Sequence, residues 1–265
     1  MENRIKLIDT FLKNSIKDRF YELNKAVEYS LFTGGKRLRP LISILISEIL
    51  GIKNKDILPF AAAIEYLHTA SLIHDDLPIM DNDDIRRGKP AVHKKFSDQI
   101  ALLAGDIMVS EAMKFIINHD YDDNIKNELL SLLSKTWGNE GISGGQSLEV
   151  EKKRVRAINP LRIFKMKTGA LFGAAFLGPA IIKDLDCRQQ RKLYSIGVNI
   201  GMIFQINDDI ADIKDKSYNI TNEIDYGFLM EYKQKMIDSV KNMMEKDNII
   251  NNDLKMILIK IFREE

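Results

Sequence analysis

His74-Asp75-Asp76-Leu77-Pro78-Ile79-Met80-Asp81-Asn82-Asp83-Asp84-Ile85-Arg86-Arg87-Gly88 directly follows a long apolar run, Ile57 to Ile73. The run has the three- and four-residue recurrence of a helix. The segment ends it on five carboxylates and two arginines. Carboxylates crowded at the end of a buried helix repel one another and resist desolvation. They persist where cations neutralise them. A second apolar run, Gly197 to Ile206, ends on Asp208-Asp209-Ile210-Ala211-Asp212. Two such clusters, far apart in sequence, imply one site facing itself across a cavity, filled by divalent metal and a phosphorylated compound.

Working outward, the same recurrence covers Leu41–Leu50, Ile100–Ile117, Leu161–Leu177, Leu193–Ile213 and Tyr226–Met244, and strand-like alternation is scarce. The chain therefore reads as all-α, with no repeat or composition break to divide its 265 residues. Asn159-Pro160 reads as an N-cap with proline at the first helical position. Gly178-Pro179 is expected to end or sharply kink the helix before it. Gly34-Gly35, Asp83 to Pro90 and Gly144-Gly145 read as loops. The formal net charge is +1, so nothing global points to nucleic acid or an anionic membrane. No stretch approaches the ~20 apolar residues of a membrane span, and Met1 to Leu12 has no signal-peptide core. The single cysteine, Cys187, allows no intrachain disulfide and fits a reducing, cytoplasmic setting.

Helical geometry sharpens the second cluster. Positions four apart share a face, so Asp208 and Asp212 project together, with Gln205 a turn before and Gly201 leaving room on that side. Asp75 and Asp81 are six apart, which an ideal helix puts on different faces. Pro78 makes an ideal helix improbable there, and a bulged turn brings both carboxylates to one metal pair. Hard oxygen ligands of this kind suit Mg²⁺, which shares its shell with water and substrate phosphates. A lone Asp-Asp pair is commonly a solvated helix end; two clusters, each ending an apolar helix and joined to basic residues, make that reading poor. His74-Asp75 is also the dyad of helical metal-dependent phosphohydrolases, with His68, His93 and His119 to spare. That reading leaves the Asp208 cluster only partly used.

The cations complete a phosphate inventory. Gly34-Gly35-Lys36-Arg37-Leu38-Arg39-Pro40 is a glycine-loosened loop entering a helix, although most such charged loops are merely solvated. Arg86-Arg87 follow the first carboxylates, and Lys165, Lys167, Thr168 and Gly169 follow Asn159-Pro160. Arginine forks bind phosphate bidentately and lysine adds a point charge. Two separated basic sets imply two diphosphates, and the usual glycine-rich nucleotide loop is missing.

These segments carry a family resemblance. The Gly34–Pro40 loop, His68, the first aspartate cluster, Arg86-Arg87-Gly88, Gly105-Asp106, Gly144-Gly145-Gln146, Lys167-Thr168-Gly169, Phe204-Gln205 and the second cluster come in the order of the all-trans isoprenyl diphosphate synthases. These are the farnesyl and geranylgeranyl diphosphate synthases. The first cluster resembles the form with four residues inserted between its aspartates. The resemblance implies a single all-α domain over residues 1–265, a bundle of helices around a deep central apolar pocket, usually a homodimer. It implies Mg²⁺, three per active site, with Asp75, Asp81, Asp208 and Asp212 as ligands and Asp76 and Asp209 supporting them. Arg86 and Lys167 would hold an allylic diphosphate. Lys36, Arg39, His68 and Arg87 would hold isopentenyl diphosphate. Thr168 and Gln205 would line the place where an allylic cation forms. The implied activity is prenyl transfer by ionisation, condensation and elimination.

Two departures stand out. The loop after Asp212, Ile213-Lys214-Asp215-Lys216-Ser217-Tyr218-Asn219, is shorter than the family's, leaving Lys214 or Lys216 to replace its lysines. Glu149 stands where the family has aspartate. The tail, Ile250 to Glu265, resembles a short final helix, with Arg263 near a usual basic end. In the family a bulky residue five positions before the first aspartate stops growth at fifteen carbons. Here that position is Ala70, with Ser71 beside it, so the next stops are Leu67 and Tyr66. A twenty-carbon product is expected, with fifteen as runner-up. The competing functions are a non-catalytic synthase-like subunit and a terpene cyclase, the latter opposed by the two intact aspartate clusters together with Lys36, Arg39 and His68.

Overall fold

The computed structural model describes residues 1–16, 21–152, 158–211, 223–246 and 249–263. Asp212, Lys214 and Lys216 lie outside them. The described residues form an all-α fold, with one two-stranded ribbon, in two compact units: 1–44 with 53–130, and 45–52 with 131–265.

The first unit holds α1 (Glu2–Ser15), α2 (Glu22–Phe32), α4 (Asn54–Asp75), the short α5 (Val92–Lys95) and α6 (Asp98–Ile117). Parts of α3 (Leu38–Ile49) and α7 (Asp123–Trp137) belong to it too. The core is α4 laid on α6. Small buried residues, Ala61, Ala62, Ala63 and Ala70 on α4 and Ala101, Ala104 and Ala112 on α6, let the two backbones approach. At the carboxylate end of α4 the contact is closer still, since a side-chain carbon at Gly105 would collide with the His74 ring. The segment read as a loop from Asp83 to Pro90 contains an antiparallel ribbon, β1 (Ile85–Arg86) with β2 (Lys89–Pro90). Arg87 and Gly88 turn it, at φ 54° and 75°. Positive φ at both turn residues is the twist-matched two-residue hairpin, and it strains a side chain as large as arginine.

The second unit holds α8 (Ile142–Lys152), α9 (Pro160–Phe164), a π-helical turn (Lys165–Gly169), α10 (Ala170–Ile182), α11 (Cys187–Ala211), α12 (Tyr226–Lys246) and α13 (Asn252–Phe262). Asn159 caps α9 as expected, its side chain accepting from the Leu161 N–H at 3.0 Å. The expected final helix is α13.

Three local expectations are corrected. Helix α10 does not end at Gly178-Pro179; it continues to Ile182 with Pro179 inside. Gly178, Pro179 and Ala180 are buried, and that packing outweighs a missing helix bond worth ~3 kcal/mol. Gly144-Gly145 is not a loop but part of α8, where a side-chain carbon at Gly145 would come within 2.6 Å of the Lys167 amide nitrogen. Gly201 leaves no room beside Gln205: its open side is filled by Gly169 Cα and Phe172 Cβ, 2.9 and 3.0 Å from where a side-chain carbon would sit. At Gly145 and Gly201 glycine serves close helix packing, a contact invisible in a linear pattern.

Candidate active site: carboxylates at two helix ends

In the first unit α4 stops at Asp75. The chain then doubles back, with Met80 N–H donating to Leu77 C=O at 2.8 Å and Asp81 N–H donating to Asp75 C=O at 2.9 Å. This is the bulged turn that Pro78 required. It returns Asp81 to Asp75 across six residues, with Asn82 at φ 54° closing it. Asp75 is half-buried and Asp81 exposed. Asp76 differs: it is 2% exposed and gripped by Arg86, whose Nε donates to both its oxygens at 2.9 and 3.1 Å. Arg86 Nη2 also reaches Asp76 and, at 3.0 Å, Asp83. Burial pushes the Asp76 carboxyl up, and Arg86 opposes the shift.

The cations of this unit sort by what they touch. Arg37 is buried and internally committed, its Nε on Asp9 and its Nη1 on Glu65, both at 2.8 Å. Arg39 Nη1 lies 3.2 Å from His68 Nε2. Guanidinium only donates, so His68 accepts there and carries its proton on Nδ1. Burial, then the charges of Arg39, Arg87, Arg37 and Arg86, holds the His68 pKa well below 6.5, so the ring is neutral. Arg87 Nη1 donates to Gly34 C=O, and a side chain at Gly35 would strike the same guanidinium. The two glycines, at φ 118° and 132°, thus let the loop close over Arg87. Lys36, beside them, is exposed. Ala70 is wholly buried on α4, Leu67 likewise, and Ser71 donates to His68 C=O at 2.8 Å.

In the second unit Lys167 and Thr168 stand on the π-helical turn. Lys167 Nζ donates to Glu149 at 2.8 Å. Thr168 Oγ1 donates to Gln205 Oε1 at 2.9 Å, and Gln205 Nε2 donates to Asp209 Oδ1 at 2.8 Å. Gln205 therefore serves the buried Asp209, one turn on, rather than Asp208. Asp208 is half-buried at the end of α11. Glu149 was read only as a departure from a pattern; its pairing with Lys167 gives it a place in the site.

The donor chemistry fits a hard divalent cation. Asp75 and Asp81 in the first unit and Asp208 in the second are carboxylates of the type that ligates it; Asp76 bonds Arg86 and Asp209 bonds Gln205. Among the described residues no three His, Cys, Asp or Glu side chains group to hold a metal unaided. Mg²⁺ is commonly held by one or two carboxylates, with water and substrate phosphate supplying the rest of its shell. The histidine-aspartate alternative gains nothing: His74 contacts Leu102 C=O at 3.2 Å, His68 contacts Arg39, and His119 lies by Asp56 at 3.7 Å. No helix among the described residues is long and apolar enough to cross a membrane.

An all-helical chain that ends two apolar helices on carboxylates has the fold of the isoprenoid synthases. The polyprenyl synthetase family profile matches residues 21–225, and the chain belongs to that family. It is 42% identical over 218 residues to a farnesyl diphosphate synthase of Micrococcus luteus, covering 82% of this chain and 75% of that one. Among solved structures, an FPP/GFPP synthase of Zymomonas mobilis superposes with a TM-score of 0.87 at 30% identity, covering 99% of this chain and 95% of that one. A geranyltransferase of Helicobacter pylori, complexed with magnesium and isoprenyl diphosphate, superposes at 0.85 with 25% identity, covering 99% and 96%.

Proposed function

We propose that the protein condenses isopentenyl diphosphate with an allylic diphosphate, in the presence of Mg²⁺, to a short-chain all-trans prenyl diphosphate. As a polyprenyl synthetase it is a transferase that forms prenyl diphosphates. The observation that carries the fuller reading is the turn that brings Asp81 back to Asp75 while Arg86 holds Asp76 aside.

On this reading Asp75, Asp81 and Asp208, with Asp212, hold Mg²⁺ together with the allylic diphosphate, three ions per site. When bound, Mg²⁺ supplies charge that stabilises the departing diphosphate. Asp76 and Asp209 support the ligands. Lys167, steadied by Glu149, and Arg86 bind the same diphosphate, and Lys214 or Lys216 adds to them. Lys36, Arg39, His68 and Arg87 bind isopentenyl diphosphate. A neutral His68 can donate from Nδ1 without adding to the charge of the neighbouring arginines.

The allylic C–O bond breaks with both electrons leaving on diphosphate, and the cations stabilise that charge. The double bond of isopentenyl diphosphate attacks the allylic cation, forming the new C–C bond. A proton then leaves the isopentenyl unit for the released diphosphate. Thr168 and Gln205, ordered by Asp209, present fixed oxygen dipoles to the cation. Burial of the apolar tail positions the substrate and excludes water.

A twenty-carbon product follows from the small residues Ala70 and Ser71 at the first possible stop, about 7–8 Å along α4 from Asp75. Fifteen carbons is the second reading, favoured by the likeness to a farnesyl diphosphate synthase. We take residues 1–265 as one synthase domain of a cytoplasmic homodimer. Leu102, Leu103 and Ile117, each about half exposed on α6, support self-association, which sedimentation tests directly.

The test is purified protein with Mg²⁺, labelled isopentenyl diphosphate and dimethylallyl, geranyl or farnesyl diphosphate. Asp75→Ala and Asp208→Ala are each expected to remove nearly all turnover while keeping the helical circular dichroism. Near-wild-type turnover in either places the site elsewhere, and an inactive wild-type protein points to a synthase-like regulatory subunit.

A further inference from the structure

The last turn of α11 carries Asp208 and Asp209 and is held from two sides. On one side Gln205 ties it to Thr168 of the π-helical turn. On the other stands Asn207, 4% exposed and so far without a role. Gln205 and Asn207 lie about 200° apart around the helix, and Asp208 falls on the arc between them. The Asn207 amide is spent on the two helices that follow. Its Nδ2 donates to Ile261 C=O of α13 at 2.6 Å, and its Oδ1 accepts from Lys233 Nζ of α12 at 3.2 Å. These partners fix which way the amide points, since a carbonyl only accepts and an ammonium only donates. Ile261 C=O is among the last carbonyls of α13, which no N–H of a continuing helix reaches. Asn207 thus caps a neighbouring helix. Lys233 reaches the same negative end of the α13 dipole, where a cation is favoured. Burial, then the charge of Arg263, holds its ammonium below the usual lysine value. Leu254, Ile257, Leu258, Ile261 and Phe262 give α13 an apolar stripe, and the helix packs on α11. Apolar burial has no direction of its own, whereas the Asn207 bond fixes one helix against the other. Both α12 and α13 follow the residues matched by the family profile, so the outer half of this contact belongs to the C-terminal segment.

We propose that Asn207 is a positioning residue: it clamps the end of α13 to the last turn of α11 and so holds Asp208 where it can ligate Mg²⁺ with diphosphate. The inference rests on the synthase reading above. Asn207 touches neither metal nor substrate; it acts through the backbone of its neighbour. A ligating side chain has to be held to within about 0.5 Å of its productive place. Two directional anchors on opposite sides of one turn fix both its rotation and its position along the axis. Gln205 supplies one and Asn207 the other. Helix α13 is then part of the site's support, although it holds none of the residues assigned to the diphosphates.

The experiment compares wild-type protein, Asn207→Leu, Asn207→Gln and Leu258→Ala. The last is a control that loosens α13 on its buried apolar face and leaves the amide in place. Calorimetric binding of Mg²⁺ with inorganic pyrophosphate is measured well below the Tm of every variant, together with hydrogen exchange of the α11 amides from Phe204 to Ala211. Asn207→Leu is expected to weaken binding about tenfold, the low end of the usual cost of losing a group that orients a metal ligand. Exchange in that turn should quicken. Leu258→Ala should lose Tm but keep wild-type affinity. Asn207→Gln, with the same amide on a longer stem, should recover part of what leucine loses. In turnover Asn207→Leu should raise the KM for the allylic diphosphate and leave that for isopentenyl diphosphate near wild type. Asn207→Ser, too short to reach Ile261, carries the same expectations should the leucine variant not fold. Wild-type affinity in Asn207→Leu overturns the clamp, and so does an equal loss of affinity in Leu258→Ala. A wild-type protein that binds no Mg²⁺-pyrophosphate defeats the synthase reading. The clamp between α11 and α13 then stands if exchange still responds to Asn207→Leu and not to Leu258→Ala, and falls if it does not.

Discussion

Arg39 and Lys167 are separated by what they already hold: a neutral histidine for one, a carboxylate for the other. Arg39→Ala is expected to raise the KM for isopentenyl diphosphate by tenfold or more while leaving the allylic KM near wild type. Lys167→Ala should act on the allylic step, in kcat, KM or both. Steady-state kinetics with each substrate varied in turn decides it, and matching profiles defeat the division. His68 gives a pH signature. Its folded pKa is held below the 6.5 of a free imidazole. As pH falls below about 6.5 the unfolded chain takes up a proton that the folded one refuses, so stability drops on the acid side. Above that pH the contribution is complete. His68→Gln, which still accepts from Arg39, should therefore lose less melting temperature than wild type between about pH 7 and pH 5.5. An equal loss in both would assign the acid sensitivity to other groups. At this scale the identities of the charged residues were legible, because their types and spacing carry the chemistry. Their commitments were not. Nothing near Arg37 in the chain shows that Asp9 and Glu65 bury it, and nothing near Arg86 shows that it serves Asp76 as well as any ligand.

Helix α11 meets α10 and the π-helical turn through glycines on both sides. A methyl group at Gly201 must displace Gly169 or Phe172, and the first is backbone. Gly201→Ala is expected to cost about 1–3 kcal/mol, the usual range for overpacking. Thermal melts should show it, and an unchanged Tm would mean that the helices separate freely. Because Gly169 adjoins Thr168, the substitution should also depress turnover. The existence of α4, α6, α11 and α12 could be read from hydrophobic recurrence, since each carries enough turns to repeat its pattern. The cap at Asn159 and the broken turn at Pro78 could be read too, being local stereochemistry. The courses of Gly144-Gly145 and Gly178-Pro179 could not. There tertiary packing overrides local propensity, and only the partner helix reveals why.

At the scale of the molecule, carboxylates brought together without a cation oppose folding. Mg²⁺ with inorganic pyrophosphate should bind the folded chain alone and raise its Tm, by about 2.7 kcal/mol of stability at a hundredfold excess over Kd. Either component alone should do less, and scanning calorimetry of the three conditions tests it. No shift with both present would show that the carboxylates do not bind metal diphosphate. The all-α class was visible in the sequence because apolar recurrence ran through most of the chain. The division of the described residues into two compact units was not, because α3 and α7 each cross it without any break in composition.

The π-helical turn at Lys165–Gly169 has an evolutionary side. Such a turn is what a helix becomes when it accommodates one residue too many. That residue turns everything beyond it by about 100° relative to what came before. Here the turn packs on α8 and α11, and α10 beyond it packs on α11 as well. The way back is the loss of one codon. It would restore regular helix bonding and swing either Lys167 or the α10 face away from its neighbour. A population selected for sturdiness alone would take that step; one selected for the chemistry of Lys167 and Thr168 has reason to keep the flaw.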